Sequence, residues 1–458
     1  MQRLDREDRA ARAREAHEGL SARSVVAVAL TWVDNSGVTR VKAVPLTRLE
    51  HAARWGVGAS PVFDTFLVDD STVSGRFAGG PVGDLRLHPD LSRLTVLAAQ
   101  PGWALAPADR FDQDGLPHPQ DARAVLRRAA QSLADLGCSV RAGFEVEWCV
   151  STGPGEEFVP ACQGPAYGMT RVIELSDYLR EVLDALTAQD VPVMQIHPEY
   201  AAGQFEVSVE PDDPVGAADT VVLVRETIRA VSTRHGLRTT FAPKVLADGV
   251  GNGGHIHVSL WRDGVNLMSG GTGRYGLTGD GEAFAGGILA RLTALLAIGA
   301  PSVASYLRLI PSHWAGAFAC WGRENREAAL RFVTGTVGNQ GAEANLEVKC
   351  FDASANPYLA LAAVLGAGGA GLAENATLPE PIEVNPAGLE PAELAARGIT
   401  PLPSSLAETV AALQVEPALV ETLGEELVDT LVTVRNGEIA LFEGAEPSEI
   451  AARSRWRY

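Results

Sequence analysis

Lysine is almost missing from this sequence: Lys42, Lys244 and Lys349 are the only three in 458 residues. Arginine supplies the rest of the positive charge, and the formal net charge is still −19. Such a balance argues against a polyanionic partner, because neutralising a run of phosphates needs clustered cations rather than a surplus of carboxylates. The same lysine scarcity, beside abundant alanine and glycine, reads as GC-rich coding and not as function. Cysteine is also scarce. Cys138, Cys149, Cys162, Cys320 and Cys350 are odd in number and never spaced as CxxC, which argues against a disulfide framework and a structural zinc site. No apolar run in the sequence reaches bilayer length, and the opening MQRLDREDRAARAREAHEGL has no apolar core of the kind a signal segment carries. The expected setting is the cytoplasm, without membrane attachment. A GxxxxGK[ST] phosphate loop is missing too, which excludes a P-loop enzyme.

What is present divides into two parts, as a chain this long requires. Residues 1–20 read as a charged helix or arm. Residues 21–112 read as a small β domain, opening with two apolar runs separated by Asp34-Asn35-Ser36-Gly37, which is hairpin punctuation. Residues 57–83, rich in Gly, Ser, Asp and Pro, read as a long loop of the kind that carries function. From 113 to 458 a larger domain follows, with helices predicted in LSDYLREVLDALTAQ and DTVVLVRETIRAVSTRHG and again at 283–300, 355–375 and 404–434. The Pro-rich 376–403 segment is expected at the surface. The class is α+β.

Four short segments in the larger domain alternate with period two and place polar groups on one face. Glu145 and Glu147 alternate with Phe144, Val146 and Trp148. Glu206, Ser208 and Glu210 alternate with Phe205, Val207 and Val209. His255, His257 and Ser259 alternate with Ile256, Val258 and Leu260. Asn345, Glu347 and Lys349 alternate with Leu346, Val348 and Cys350. Any one of these is equally a half-solvated antiparallel strand. Together they are different, since a face with five glutamates and two histidines repels itself unless cations sit on it, and hard divalent ions suit those ligands. Downstream, Arg308, Arg323, Arg326 and Arg331 surround an apolar, small-residue stretch. Alone they could pair with Glu324 and Glu327 at the surface. Beside a metal-bearing acidic face they suit phosphate and carboxylate oxygens, and the combination describes phosphoryl transfer.

The ordered set FEVEW, HPEYAAGQFE, GNGGHIHVSL, RLIP, NREAALR and EVKCFDASANPYLALAAVL resembles the glutamine synthetase family over most of residues 110–375. The resemblance implies a β-grasp-like N-terminal domain and a catalytic domain with a curved antiparallel sheet and flanking helices. It implies ATP and two or three Mg2+ (or Mn2+) as cofactors, and a homo-oligomer, a double-ring dodecamer, with active sites between neighbouring subunits. By the same match Glu147, Glu199 and Glu206 hold the metal nearest the amino acid and nucleophile, and Glu145, His255 and Glu347 the metal on the ATP phosphates. His257, Ser259 and Arg331 fall with the nucleotide. Arg308 falls on the glutamate carboxylate, Arg326 and Arg331 on the phosphates and the acyl phosphate, and Gly253 and Lys349 in the substrate pocket. Asp69, in the Asp64 to Asp70 loop, resembles the segment that reaches the neighbouring subunit's site.

The pattern departs from the ammonia-using members in one informative place. Where those carry a flap glutamate, Arg308-Leu309-Ile310-Pro311-Ser312-His313-Trp314 places an indole. Loss of that carboxylate and gain of an apolar face favour an organic amine as nucleophile, a small monoamine such as ethanolamine or a polyamine. Within the family these features resemble the γ-glutamylamine synthetases, so the expected reaction is ATP-dependent ligation of the glutamate γ-carboxylate to such an amine through a γ-glutamyl phosphate. Three alternatives remain: an ordinary glutamine synthetase in which Glu210 or an Asp of the 64–70 loop serves ammonium, a catalytically silent regulatory relative, and a ligase of another carboxylate, which the displaced Asn252 keeps open. His313 is a candidate base or a surface histidine.

Overall fold

The computed structural model describes residues 4–458. A helix, Arg6–Ala22, leads into the hairpin of strands Ala27–Val33 and Thr39–Pro45, whose turn is the Asp34 to Gly37 segment. Asp34 closes that turn by accepting from the Ser36 and Val38 backbone amides. Gly37 adopts φ +81, and any Cβ there would lie 1.8 Å from the Ser354 carbonyl oxygen. Glycine is therefore required because the hairpin tip docks on the larger domain. Asn356 clasps the tip by donating to the Val33 and Asp34 carbonyls, and Arg435 donates to that of Asn35.

The N-terminal sheet has the order Thr39–Pro45, Ala27–Val33, Trp103–Phe111, Leu85–Pro89, Val57–Ala59, with a short Thr95–Val96 strand against Trp103–Phe111. Its central pair is parallel, and it covers its own small apolar core with the Arg6–Ala22 and Leu49–Trp55 helices. The segment expected to be one long loop contains the Val57–Ala59 strand and a short helical turn, Pro61–Thr65. Only its remainder, from Phe66 onward, is irregular. Asp64 there is buried and ion-paired with Arg110 at 2.5 Å and His118 at 3.0 Å. It braces the domain, so it cannot be the spare acid that the sequence left open.

The larger domain is a ten-stranded sheet in which seven strands run Phe318–Arg323, Ala328–Val333, Asn345–Val348, Ile256–Arg262, Ser139–Thr152, Gln204–Val209, Val193–Pro198. Neighbours are antiparallel except Phe318–Arg323 with Ala328–Val333, which is parallel. Helices cover the apolar face. Pro214–Arg234 begins where Asp213 accepts from the Val215 and Gly216 amides, followed by a proline at the first helical position. Pro357–Glu374 begins the same way at Asn356-Pro357 and ends at Asn375 in the left-handed conformation. The latter is long and apolar enough to cross a membrane, which the sequence reading did not anticipate, yet two-thirds of it is buried within the domain. It is a core helix. The 376–403 segment is largely exposed as expected, but Ile382 and Ile399 anchor it to Ala317, Phe318, Cys320 and Ala328 in a separate small core.

Candidate active site

Pairing register puts the acidic groups side by side. Glu147 stands opposite Glu206 and Glu145 opposite Ser208, while Ile256 opposite Phe144 sets His255 beside Glu145. Glu347 pairs with His257 on one side and Arg331 on the other. Phe144, Val146, Trp148, Phe205, Val207, Ile256, Val258, Leu346 and Val348 turn into the core from the opposite face. Burial of one face thus fixes the register, and with it the gathering of polar groups on the other.

Two donor sets result. In the first, Glu145, His255 and Glu347 bring one ligand atom each within 4.8 Å of the others. His255 Nδ1 lies 2.7 Å from Glu145 and 3.3 Å from Glu347. His257 Nε2 lies 3.2 Å from the second Glu145 oxygen. The second set joins Glu199 and Glu206 through His197, at 3.5 and 3.3 Å. Glu147 stands between the two sets, 3.8 Å from His255 Nε2, and accepts from Gln204 Nε2 and the Gly253 amide.

Charge in this cluster is unbalanced. Burial, with Glu206 and Glu199 adding repulsion, pushes the Glu147 carboxyl up to about 8. His197 is pushed up to about 9, chiefly by its hydrogen bond to Glu206. Burial lowers His255 to about 4, with Lys349 adding to the effect. Glu347 is held at about 2 against its burial by Lys349, His257 and His255. Carboxylates this close, with imidazole nitrogens among them, fit a divalent cation in each set, and oxygen with nitrogen donors favour a hard or borderline ion.

The acidic face is the floor of a cavity of about 730 Å3. Arg308, Arg326 and Lys349 line it, as do Ser312, His313 and Trp314. Arg308 is buried, with Nη2 on the Lys349 carbonyl and beside His255 Nε2, while Nη1 has no partner among the described residues. Arg331 is spent on Glu347 and Glu324, and the Lys349 ammonium on Glu347. Gly253 is sterically locked: a Cβ would lie 2.4 Å from His255 Nε2 and 2.7 Å from a Glu147 oxygen. The Trp314 loop is pinned from beneath, where buried Glu327 accepts from the Trp314 amide at 2.8 Å and the Ser312 amide at 3.2 Å.

Several residues singled out in the sequence lie elsewhere. Ser259 shares the strand face but is buried, accepting from the Trp261 indole, and does not line the cavity. Arg323 stacks over Tyr275 instead of joining the other arginines. Glu210 falls beyond the end of its strand, exposed and off the cavity, so it does not stand in for the missing flap acid. Asn252 is fully buried, held by Gln204, Cys149 and the Ala242 carbonyl. The Asp69 carboxylate accepts from Ser71, and Asp70 pairs with Arg40 and Arg457, away from this cavity.

Others were missed. Tyr167, Gln195, His197 and Tyr200 all line the cavity. His197 and Tyr200 flank Glu199 in HPEYAAGQFE, a motif the sequence showed without revealing which of its members face inward. Tyr167 donates to Glu199 at 2.7 Å. Arg171 fixes this end of the cavity. Its buried guanidinium donates to the carbonyls of Gly164, Glu199, Tyr200 and Ala201, and only tertiary structure could reveal that.

A curved sheet whose acidic face carries two carboxylate and imidazole donor sets, under a buried arginine, defines a class. The family model for the glutamine synthetase catalytic domain matches residues 119–453, and the chain belongs to the glutamine synthetase family. It is a carbon–nitrogen ligase. The chain is 58% identical to gamma-glutamylpolyamine synthetase GlnA3 of Streptomyces coelicolor, over 96% of this chain and 95% of that protein. It is 33% identical to a glutamine synthetase of Pyrococcus horikoshii, over 87% and 86%. Among solved structures, it is similar to a novel glutamine synthase homolog (TM-score 0.85, 34% identity, 95% and 99% covered). It is also similar to a GmaS/ADP complex (TM-score 0.82, 26% identity, 94% and 96% covered).

Proposed function

We propose that this ligase joins the γ-carboxylate of glutamate to a polyamine at the cost of one ATP. The γ-carboxylate oxygen attacks the terminal phosphorus of ATP and ADP leaves. The amine nitrogen then attacks the carbonyl carbon of the acyl phosphate, losing a proton as inorganic phosphate departs. Glu147, Glu199 and Glu206 would hold one Mg2+ (or Mn2+) and Glu145, His255 and Glu347 another. These ions would supply charge neutralisation and orientation of the phosphates. Buried Arg308, with one unpartnered nitrogen, is suited to a substrate carboxylate. Arg326, exposed at the cavity wall with no carboxylate partner among the described residues, is suited to the transferring phosphoryl group. His257 and Arg331 set the Glu145 and Glu347 carboxylates at the nucleotide end. Asp69 would act in the site of a neighbouring subunit, within a double-ring dodecamer working in the cytoplasm.

The observation that carries the choice of amine is Trp314. Where an ammonium-using site needs a carboxylate to hold the cation and take its proton, this cavity is lined by the indole of Trp314, a residue 54% exposed. An indole has no carboxylate to take a proton from a bare ammonium ion, while its face packs against methylene groups and over an alkylammonium head. The 58% identity to a gamma-glutamylpolyamine synthetase supports the same reading, and the polyamine is preferred to ethanolamine for that reason.

The test is ATP turnover with glutamate and Mg2+, comparing ammonium, ethanolamine, putrescine and spermidine, with mass detection of the γ-glutamyl product. Turnover of polyamines well above ammonium is expected. A preference for ammonium would return the enzyme to glutamine synthesis, and a preference for ethanolamine would keep the ligase but change the acceptor. Trp314→Glu is expected to raise the ammonium to spermidine ratio of kcat/KM by about tenfold or more.

A further inference from the structure

One wall of the cavity lies at the edge of the sheet. Glu206 lies on Gln204–Val209, and His197 and Gln195 lie on Val193–Pro198, the last strand of the order. Tyr200 follows Glu199 in the turn between these two strands and lines the same cavity as Trp314. Tyr200 is 57% exposed, and its hydroxyl has no hydrogen-bond partner among the described residues. The turn beneath it is rigid. Arg171 donates to the Glu199, Tyr200 and Ala201 carbonyls, and the Glu199 carboxylate accepts from the Tyr200 amide. An exposed aromatic on a fixed turn is displayed, not merely tolerated.

A second observation points to what it is displayed for. Two of the protein's exposed aromatic rings are covered by its own arginines, Trp55 by Arg6 and Arg54 and Phe77 by Arg76. Trp103, Tyr167, Tyr200 and Trp314 carry none among the described residues, and the last three line the cavity that Arg326 also lines. Tyr167 is engaged there by its hydrogen bond to Glu199, which leaves Tyr200 and Trp314. Both rings are thus left available above a floor of glutamates, in an electrostatic setting that concentrates cations.

We propose that Tyr200 is a specificity-determining residue for the amine, receiving with Trp314 the distal ammonium and adjoining methylenes of a polyamine whose other nitrogen attacks at the acidic cluster. The proposal rests on the polyamine reading given above. A reacting nitrogen beside Glu147, Glu199 and Glu206 leaves the rest of the chain to run toward the mouth, where these rings stand. Length selectivity then comes from the walls. An amine without a second cation gains only the methylene contact from the rings.

The experiment compares wild type with Tyr200→Ala, Tyr200→Leu and Tyr200→Phe, measuring kcat/KM for spermidine, putrescine, propylamine and ammonium. In Tyr200→Ala and Tyr200→Leu the spermidine to propylamine ratio is expected to fall about 2- to 30-fold, the range of a cation held on an aromatic face. Tyr200→Phe, which keeps the ring, is expected to retain the ratio. Leucine keeps an apolar side chain, so a folding defect in the alanine variant does not remove the test. The wild-type panel is read first. Turnover of ammonium alone sinks the polyamine reading and this inference with it. Polyamine turnover with an unchanged ratio in both Tyr200→Ala and Tyr200→Leu, or an equal fall in Tyr200→Phe, overturns only the role of the ring.

Discussion

Gly253 admits no side chain. Its Cα faces His255 and Glu147 so closely that even a methyl group would occupy the space between the two donor sets. Displacing either ligand by a fraction of an ångström spoils the positioning on which phosphoryl transfer depends. Gly253→Ala is expected to lower turnover by about 100-fold and to weaken Mn2+ binding in a calorimetric titration. Unaltered Mn2+ binding would show that the donors tolerate the methyl group. Glu438 supports a second residue-scale prediction. It accepts from the Val68 amide and the Ser36 hydroxyl, and burial pushes its carboxyl up to about 7 from an ordinary 4.5. The folded state therefore keeps a proton that the unfolded chain has lost, so this contribution is full below about pH 4.5 and disappears as pH rises through 7. Glu438→Gln keeps a carbonyl acceptor and removes the titration. Between pH 5 and 8 the variant is expected to lose about 1–3 kcal/mol less stability than wild type, read by denaturant unfolding at each pH. Parallel pH curves would place the titration elsewhere.

At the scale of an element, the loop 312–316 is instructive because its conformation is imposed. Ser312 and Trp314 both have positive φ, at 63° and 53°, where non-glycine residues are strained. Glu327 offsets that strain by accepting from both amides, so the indole's direction depends on a carboxylate thirteen residues further along. Glu327→Ala is expected to reduce kcat/KM for the amine about tenfold, the scale of losing charge-assisted hydrogen bonds, while the glutamate KM changes much less. An equal change in both would mean that Glu327 supports the whole site. Sequence legibility also differs by element. The four alternating strands could be read because their apolar faces are buried and period two is forced on them. Loop 312–316 could not be, because nothing in SHWAG announces positive φ at two non-glycine positions, and Glu327 looked like a surface partner for arginine.

At the scale of the molecule, the two parts are joined by the hairpin tip at Asn35 and Gly37, by Glu438 under Val68, and by Arg457 on Asp70. These contacts hold the 66–71 segment against the larger domain. Asp69 does not line the cavity of its own chain, and the proposed ring gives it a role in the next subunit's. That arrangement can be checked by mixing. Asp69→Ala and Glu347→Ala are each expected to be inactive. Assemblies formed from an equal mixture of the two are expected to recover about a quarter of wild-type activity, since one site in four combines two intact halves. No recovery in mixed assemblies of verified size would mean that each subunit works alone.

The sequence alone determined the class, the α+β architecture and the set of acidic and imidazole residues on one sheet face. Strand periodicity is local, and a buried apolar face leaves the alternate positions no other place to point. Tertiary structure alone decided which polar residues face the cavity and which brace the fold. Asp64, Asn252, Arg323 and Ser259 look as functional in the sequence as Glu199 or Arg326, yet each is spent on a neighbour from a distant or adjoining segment. Tyr200, His197 and Arg171 gain their significance only when the sheet edge, the turn and the short Met169–Glu174 helix that carries Arg171 come together. A residue type carries its own chemistry, but whether that chemistry is satisfied internally depends on partners far along the chain, and only the folded arrangement of those partners decides it.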